Sequence, residues 1–539
     1  MDALTPINLP KKRGNRGLLT IAAPKNYKES QMRTDKDKWK AAYETELKRM
    51  KEVAEIEAID QQQVPQGAQL IPIKQIMSTK FDNVKKKEIY KARFVVRGDL
   101  QEQVPSKTYA PVATNEAIKL LLMKIVNDDL KVRQADVSTA FLYGREDQEV
   151  YLELPDGHPK AKEGAWKSHA SVYGLKSAPL TWYRTLTSYL KEKGFSACRS
   201  DTCLMKNDYL KETVYLVIYV DDLLYASKST DSLKEFEKEL LAKFNVKTTG
   251  KLEDYVGMHL KMSPGMIELD QKSKIEKLSS EIGSQELKPA KVPLCTTDYE
   301  AESPPLNKTG IKEYQSLVGQ LLYINLGTRP DITFAVNILS RFLKSPTVYQ
   351  LKLAKQVCRY LHHTKEIKMV YKKSNAHTKT VIGYVDATYQ SEKDLKSVYG
   401  FVVKVAGSII KFRTKKLNLR TESTCETEYM GMYYVSKETR YIVKLLDFLQ
   451  VKYTVPKIMC DNRSAVNIAV SRESIERTKH IKSKYLIVQD LVEEKEVEPR
   501  FLPGAKQIAD LLTKPLNKNK FVELRDMLYS GESVAVDEA

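Results

Sequence analysis

Val214-Tyr215-Leu216-Val217-Ile218-Tyr219-Val220-Asp221-Asp222-Leu223-Leu224-Tyr225-Ala226 decides the reading of this chain. An unbroken apolar run delivers two adjacent carboxylates and then resumes at once, which describes two buried strands joined by an acidic turn. Like charges side by side repel and are costly to hold in a low-dielectric setting, so the pair is stable mainly where divalent cations sit between the carboxylates. A metal-assisted phosphoryl-transfer site is the expectation. The pair alone leaves an ordinary acidic hairpin turn open, and the rest of the chain has to decide.

With 539 residues, 42% of them hydrophobic, the chain has room for three or four packed domains. Lys and Arg number 88 against 69 Asp and Glu, a net charge of +19, which points to a polyanionic partner. No apolar run approaches the roughly 18 residues of a membrane span and no signal peptide opens the sequence, so nucleic acid is expected rather than a membrane. Cys198, Cys203, Cys295, Cys358, Cys425 and Cys460 lack paired spacing. Neither a disulfide framework nor a zinc module is expected, and a reducing compartment fits. The cluster Lys11-Lys12-Arg13-Gly14-Asn15-Arg16 reads as a nuclear-import or nucleic-acid arm, or simply as a solvated basic segment.

Along the chain, residues 1–30 read as a flexible basic leader. Trp39, Tyr43, Leu47 and Met50 then follow helical spacing. Strands are expected at 92–97 and 214–220, and a helix at 231–244 capped by Thr230 or Asp231 with Leu233, Phe236, Leu240 and Phe244 on one face. A strand, an acidic turn, a second strand and a helix make an α+β layer. Residues 266–310 have weaker periodicity and read as a boundary and linking module. Helices return at 312–328, 331–343 and 347–363. A strand-first block begins near Thr380 and alternates to about 517, and the last residues from Ser530 read as a frayed tail.

A nucleotidyl-transfer site needs a third acid from a distant strand, and Asp136, at the end of a semi-apolar strand and ahead of Val137-Ser138-Thr139-Ala140-Phe141-Leu142, is well suited. Further landmarks accumulate around it. Tyr90-Lys91-Ala92-Arg93-Phe94-Val95-Val96-Arg97-Gly98, Thr108-Tyr109-Ala110-Pro111-Val112-Ala113 and Asp136 through Leu142 are followed in order by Val172-Tyr173-Gly174-Leu175-Lys176-Ser177-Ala178-Pro179, Tyr219-Val220-Asp221-Asp222, Tyr255-Val256-Gly257-Met258, Tyr314-Gln315-Ser316-Leu317-Val318-Gly319 and Arg329-Pro330-Asp331-Ile332. Over roughly residues 24–517 the series resembles the reverse transcriptase and ribonuclease H region of copia-type (Pseudoviridae) LTR retrotransposon polyproteins.

The resemblance implies a multidomain α+β fold: a right-hand polymerase with fingers, palm and thumb, a connection, and an α/β ribonuclease H-like domain. It implies that Asp136, Asp221 and Asp222 are palm carboxylates holding two Mg²⁺, with Mn²⁺ as a substitute. Lys91, Arg93, Phe141 and Val220 become nucleotide contacts, Phe141 lying under the sugar, and Gly257 becomes part of the primer grip. Residue by residue, Lys91 and Arg93 read otherwise as a solvated strand edge, and Phe141 as core. Gln75 and Ser177 depart from the family pattern, an aromatic residue and Gln being usual there.

Four further acids stand where strands meet turns or helices: Asp386, Glu428, Asp461 and Asp510. Singly, each reads as a helix cap or surface charge. Together, with Ser423 to Tyr429, Cys460 to Ala465, Thr478-Lys479-His480-Ile481 and Ala509 to Lys514 around them, they resemble the Asp-Glu-Asp-Asp set of the ribonuclease H domain, again with two Mg²⁺. Glu428 is preferred over Glu426 for the second role. His480 reads as an aid to product release or as a structural histidine, and Cys425 replaces the usual Thr.

The implied protein is an RNA- and DNA-directed DNA polymerase that degrades the copied RNA. Its expected partners are RNA template, DNA primer, RNA/DNA hybrid and deoxynucleoside triphosphates, with a homodimer or association with integrase beyond those. It is expected in the cytoplasm, within a virus-like particle, and in the nucleus. The expected division is a leader 1–30, fingers and palm 31–265, thumb and connection 266–375, ribonuclease H domain 376–517 and a tail 518–539. The absence of protease, zinc-knuckle and integrase signatures reads as a processed product, an excised piece or a free-standing copy. A non-catalytic nucleic-acid-binding scaffold and a purely DNA-dependent polymerase are the alternatives, and seven intact carboxylates speak against both.

Overall fold

The computed structural model describes residues 11–13, 19–21, 23–82, 87–102, 107–250, 252–283, 288–294, 298–390, 395–471 and 486–531. The apolar run around the acidic pair forms the expected hairpin, Val214–Tyr219 against Asp222–Ser227. It lies inside a six-stranded sheet, where Asp222–Ser227 also pairs antiparallel with Lys131–Val137. Buried positions on both strands of the hairpin explain why its sequence is continuously apolar rather than alternating. Helix Asn115–Asn127 packs behind this sheet with every residue from Ala117 to Val126 buried, because it is covered on its other side by strand Ser408–Lys416.

A second, smaller core gathers Tyr43, Met50, Phe94, Leu152 and Trp166. It joins helix Lys36–Val53, a four-stranded sheet of Glu57–Asp60, Gly164–Ala170, Arg145–Glu153 and Leu70–Ile71, and the long hairpin Ile73–Asp82 with Lys87–Val96. The hairpin's base is fixed by close backbone approach. A Cβ on Gly98 would strike the carbonyl of Gly174, and Gly174 itself, at φ +98°, lies against the backbone of Val96.

Three expectations are corrected here. Helix Thr230–Lys243 is capped by Ser229, whose hydroxyl accepts from the Asp231 and Ser232 amides, rather than by Thr230 or Asp231. Residues 266–310 open as strand Met266–Asp270, paired with Met258–Ser263 on one side and Met369–Lys372 on the other, followed by helix Lys272–Glu281. The expected division at 265/266 thus falls in the turn of a hydrogen-bonded hairpin. The segment from 518 is a helix, Lys518–Tyr529, with Phe521, Leu524 and Leu528 buried. Tyr529 donates to Asp331 (2.8 Å), inside a fully buried pair in which Arg329 donates to Asp331 (2.8 and 2.9 Å). Burial alone would raise the Asp331 pKa, but the Arg329 guanidinium wins and holds it below the usual range.

Within the expected leader, Lys11–Arg13 pairs with Leu19–Ile21, and Asn26 caps a short helix, Tyr27–Gln31. Residues 14–16 of the basic cluster, Cys295 and the tail beyond 531 lie outside the described residues. The block beginning at Val381 is a five-stranded mixed sheet in the order 408–416, 398–405, 381–388, 457–460, 498–501, its first three strands antiparallel and its last two parallel to 381–388. Helix Thr424–Phe448 lies across it. No described helix is long and apolar enough to cross a membrane.

Candidate functional site

Pairing places Asp136 directly across the ladder from Asp222, and Asp221 occupies the two-residue loop of the hairpin closed by Tyr219 and Asp222. Its other loop residue, Val220, has φ +57°, a left-handed conformation that a β-branched residue resists by about 1–2 kcal/mol. The Trp182 indole N–H donates to the Val220 carbonyl (2.8 Å), and the Val137 amide donates to the Asp221 carbonyl (2.9 Å), so the turn is held from both sides. Burial and then the Asp221 and Asp136 charges push Asp222 up to about 6, while burial and Asp136 raise Asp221. Two raised carboxylates beside a third describe a site short of positive charge.

Arg93 and Lys91 project from one edge of the long hairpin, both exposed. The Arg93 guanidinium lies 6.0 Å from the Tyr173 ring centroid, that ring meets Phe141 edge-on at 5.3 Å, and the charges of Arg93 and Asp221 oppose one another at the Tyr173 hydroxyl. Arg93, Tyr173 and Phe141 therefore form one neighbourhood with the acidic hairpin, and Lys91 is two residues from Arg93 on the same strand. Phe141 follows Thr139 (φ +60°) in a tight helical turn and packs against both cores, so part of its ring is structural. Gly257 has φ +72° in the hairpin Tyr255–Met258, and a Cβ there would collide with the Tyr323 hydroxyl. The buried Tyr255 of that hairpin feels the Asp222 charge. Gln75 donates to the Asp156 carbonyl (2.6 Å), a structural tie rather than a surface for ligand.

The second acidic set is drawn together more tightly. Asp386 on the central strand, Asp461 after strand Lys457–Cys460 and Asp510 in the turn Ile508–Leu512 bring one carboxylate oxygen each within 4.8 Å of the others, and Glu428, Cys460 and Asp461 do the same with their ligand atoms. Among the described residues, the acids of the 219–222 hairpin form no such group. Glu426 and Glu428 are about 200° apart around their helix. Glu426 turns back to accept from the Glu422 amide (2.6 Å), while Glu428 faces Asp386, Asp461 and the Cys460 thiol (3.8 Å). Burial, then the Asp386 and Asp461 charges, hold Glu428 well above the carboxylate range. Burial and Asp386 likewise raise Asp461, and push Asp510 up to about 6. Hard oxygen donors at this count and spacing fit Mg²⁺ or Mn²⁺.

Two neighbours stand out in the sequence only as landmarks. The Thr513 hydroxyl donates to Asp386, and the Lys514 ammonium lies 2.9 Å from Asp510 and 3.5 Å from Asp386. The signal was present: Lys514 stands four residues after Asp510, on the same face of a helical turn. His480 lies outside the described residues.

The family model described as "Reverse transcriptase (RNA-dependent DNA polymerase)" matches residues 57–296. The Retrovirus-related Pol polyprotein from transposon TNT 1-94 of Nicotiana tabacum is 28% identical over 94% of this chain and 39% of its own length. The corresponding polyprotein from transposon RE1 of Arabidopsis thaliana is 31% identical over 85% of this chain and 31% of its own. The putative transposon Ty5-1 protein of Saccharomyces cerevisiae is 34% identical over 55% of this chain and 97% of its own. The chain thus spans between about a third and two fifths of the plant polyproteins it matches. An N-terminal RNase H domain from Mycobacterium tuberculosis, solved as a fusion with maltose binding protein, aligns with 28% of this chain and 98% of that one at 14% identity and a TM-score of 0.19, too slight a likeness to bear on the fold.

Proposed function

Because the chain belongs to the reverse transcriptase family of copia-type retrotransposon Pol polyproteins, we propose that it copies RNA into DNA and cleaves the RNA strand of the resulting hybrid. The observation that carries this reading is the presence, in one chain, of two acidic sets on two different sheets. Bound Mg²⁺ supplies Lewis acidity and charge for phosphoryl transfer. At the first site Asp136, Asp221 and Asp222 would hold it, Asp221 and Asp222 being set on the strained, doubly tethered hairpin. Lys91 and Arg93 hold the triphosphate as fixed cations. Phe141, braced by Tyr173, closes the space where a ribose 2′-hydroxyl projects, and the backbone around Gly257 holds the primer end. At the second site Asp386, Glu428, Asp461 and Asp510 hold the metal, and the RNA 2′-hydroxyl distinguishes the strand to be cut.

The division into fingers and palm, thumb and connection, and ribonuclease H domain is proposed with it, the strands 258–270 and 369–372 tying the second unit to the first. RNA template, DNA primer, hybrid and deoxynucleoside triphosphates are the proposed partners, and a virus-like particle the proposed setting. The test is separation of the chemistries. Asp221→Asn abolishes primer extension on poly(rA)/oligo(dT) and leaves hybrid cleavage intact, and Asp386→Asn does the converse. Loss of both activities in either folded, hybrid-binding variant overturns the two-site reading.

A further inference from the structure

We propose that Lys514 is a tethered cation that occupies the metal position between Asp386 and Asp510, so that a divalent ion binds there only by displacing its ammonium. The proposal rests on the reading of Asp386, Glu428, Asp461 and Asp510 as metal ligands.

Three observations carry it. First, Lys514 bridges two acids from separate segments, 2.9 Å from Asp510 and 3.5 Å from Asp386, whereas an ordinary helical ion pair joins two neighbours on one surface. Second, among the described residues it is the one cation paired with any of the four acids, three of which are more than nine-tenths buried. Its charge is the one that opposes the mutual repulsion felt by Glu428, Asp461 and Asp510. Third, its side chain keeps about a third of its surface in water, so the flexible stem has solvent into which to swing the ammonium.

A divalent ion between Asp386 and Asp510 and an ammonium in the same place exclude each other by charge and by volume. The lysine therefore stabilises the metal-free fold and weakens metal binding by the same interaction, since a bound cation that favours one state must be given up to reach the other. The acids of the 219–222 hairpin have no ion pair among the described residues.

The experiment uses the full chain carrying Asp221→Asn and Asp222→Asn, which leaves one acidic set, and follows Mn²⁺ binding by calorimetry and by electron paramagnetic resonance. Lys514→Met binds Mn²⁺ about tenfold more tightly than its parent, melts at a lower temperature in chelator, and recovers when Mn²⁺ is added. Lys514→Arg, which keeps the charge, stays within about twofold of the parent. The unmutated chain offers a second measure that does not depend on a variant folding: Mn²⁺ speeds acylation of the Lys514 amine, read by mass spectrometry. Equal or weaker Mn²⁺ binding in Lys514→Met, or an acylation rate that metal leaves unchanged, overturns the proposal while the metal reading stands. If the parent binds no Mn²⁺ that Asp461→Asn removes, the metal reading itself fails and takes the proposal with it.

Discussion

At Asp222 and Asp510, burial and neighbouring carboxylates push both groups up to about 6. For an acid whose folded pKa lies above its unfolded value near 4, the neutral form is the one the fold prefers. The associated stability is present below about pH 4 and is lost as pH rises through 6. In chelator the protein therefore melts higher at pH 5 than at pH 7 from these two groups, and Asp222→Asn raises the melting temperature at pH 7. The gain is on the order of 1 kcal/mol after allowing for the partial exposure of Asp222. Binding a divalent ion needs the ionised carboxylates, so protons compete with it as pH drops through about 6: at limiting Mg²⁺ both proposed activities fall there, and raising Mg²⁺ moves the fall to lower pH.

Phe141 belongs to the same neighbourhood. An extra 2′-oxygen beneath a close-packed ring costs about 1–3 kcal/mol, roughly a five- to hundredfold bias. Phe141→Ala raises UTP incorporation relative to dTTP, and because the ring also packs against Tyr173 the variant melts lower. An unchanged dTTP-to-UTP preference in a folded, active variant removes Phe141 from sugar discrimination. The hairpin around Asp221 and Asp222 is legible in the sequence because its strands are continuously apolar, whereas the strand that ends at Asp136 is only semi-apolar and its pairing with Asp222 becomes visible in the sheet register. Lys514 was harder to see: lysine is usually a solvated surface residue, and only the return of Asp386, from more than a hundred positions upstream in the five-stranded sheet, gives it a second partner.

Among the elements, the Tyr255–Met258 hairpin depends on a glycine that no other residue replaces without strain. Gly257→Ala meets the left-handed penalty, about 1–2 kcal/mol, and a collision with the Tyr323 hydroxyl. Primer extension falls while hybrid cleavage holds. Adding Tyr323→Phe relieves the collision and leaves the backbone penalty, so recovery is partial; full activity in Gly257→Ala alone would separate this hairpin from primer positioning. Helices with a strong apolar stripe, such as Lys36–Val53 and Val348–His363, follow their sequence pattern closely. Residues 266–281 do not, because strand Met266–Asp270 draws its partners from 258–263 and from 369–372, about a hundred residues on. One partner is adjacent, across the Pro264-Gly265 turn, but the other is distant, so the local pattern carries only half of the pairing. The helix Lys518–Tyr529 was hidden for a related reason, its apolar face being matched to Tyr360 and the Arg329–Asp331 pair rather than to its sequence neighbours.

For the whole molecule, the net charge of +19 makes phosphate contacts the main term in nucleic-acid affinity. Hybrid binding falls on the order of a thousandfold between 50 and 200 mM salt, measured by fluorescence anisotropy, and a nearly flat titration would count against phosphate-dominated binding. Helix Asn115–Asn127 has a consequence at this scale. It is sandwiched between the sheet of the acidic hairpin and strand Ser408–Lys416, with Thr114 bonded to Tyr441 (3.0 Å), Lys411 paired with Glu116 (3.1 Å) and Tyr215 donating to Gln450 (2.7 Å) across the seam. A seam packed like a domain interior does not slide. On the proposed function, this helix would act as a ruler between the two acidic sets, and the expected outcome is that a stalled enzyme leaves one narrow band of RNA fragment lengths whatever the template sequence.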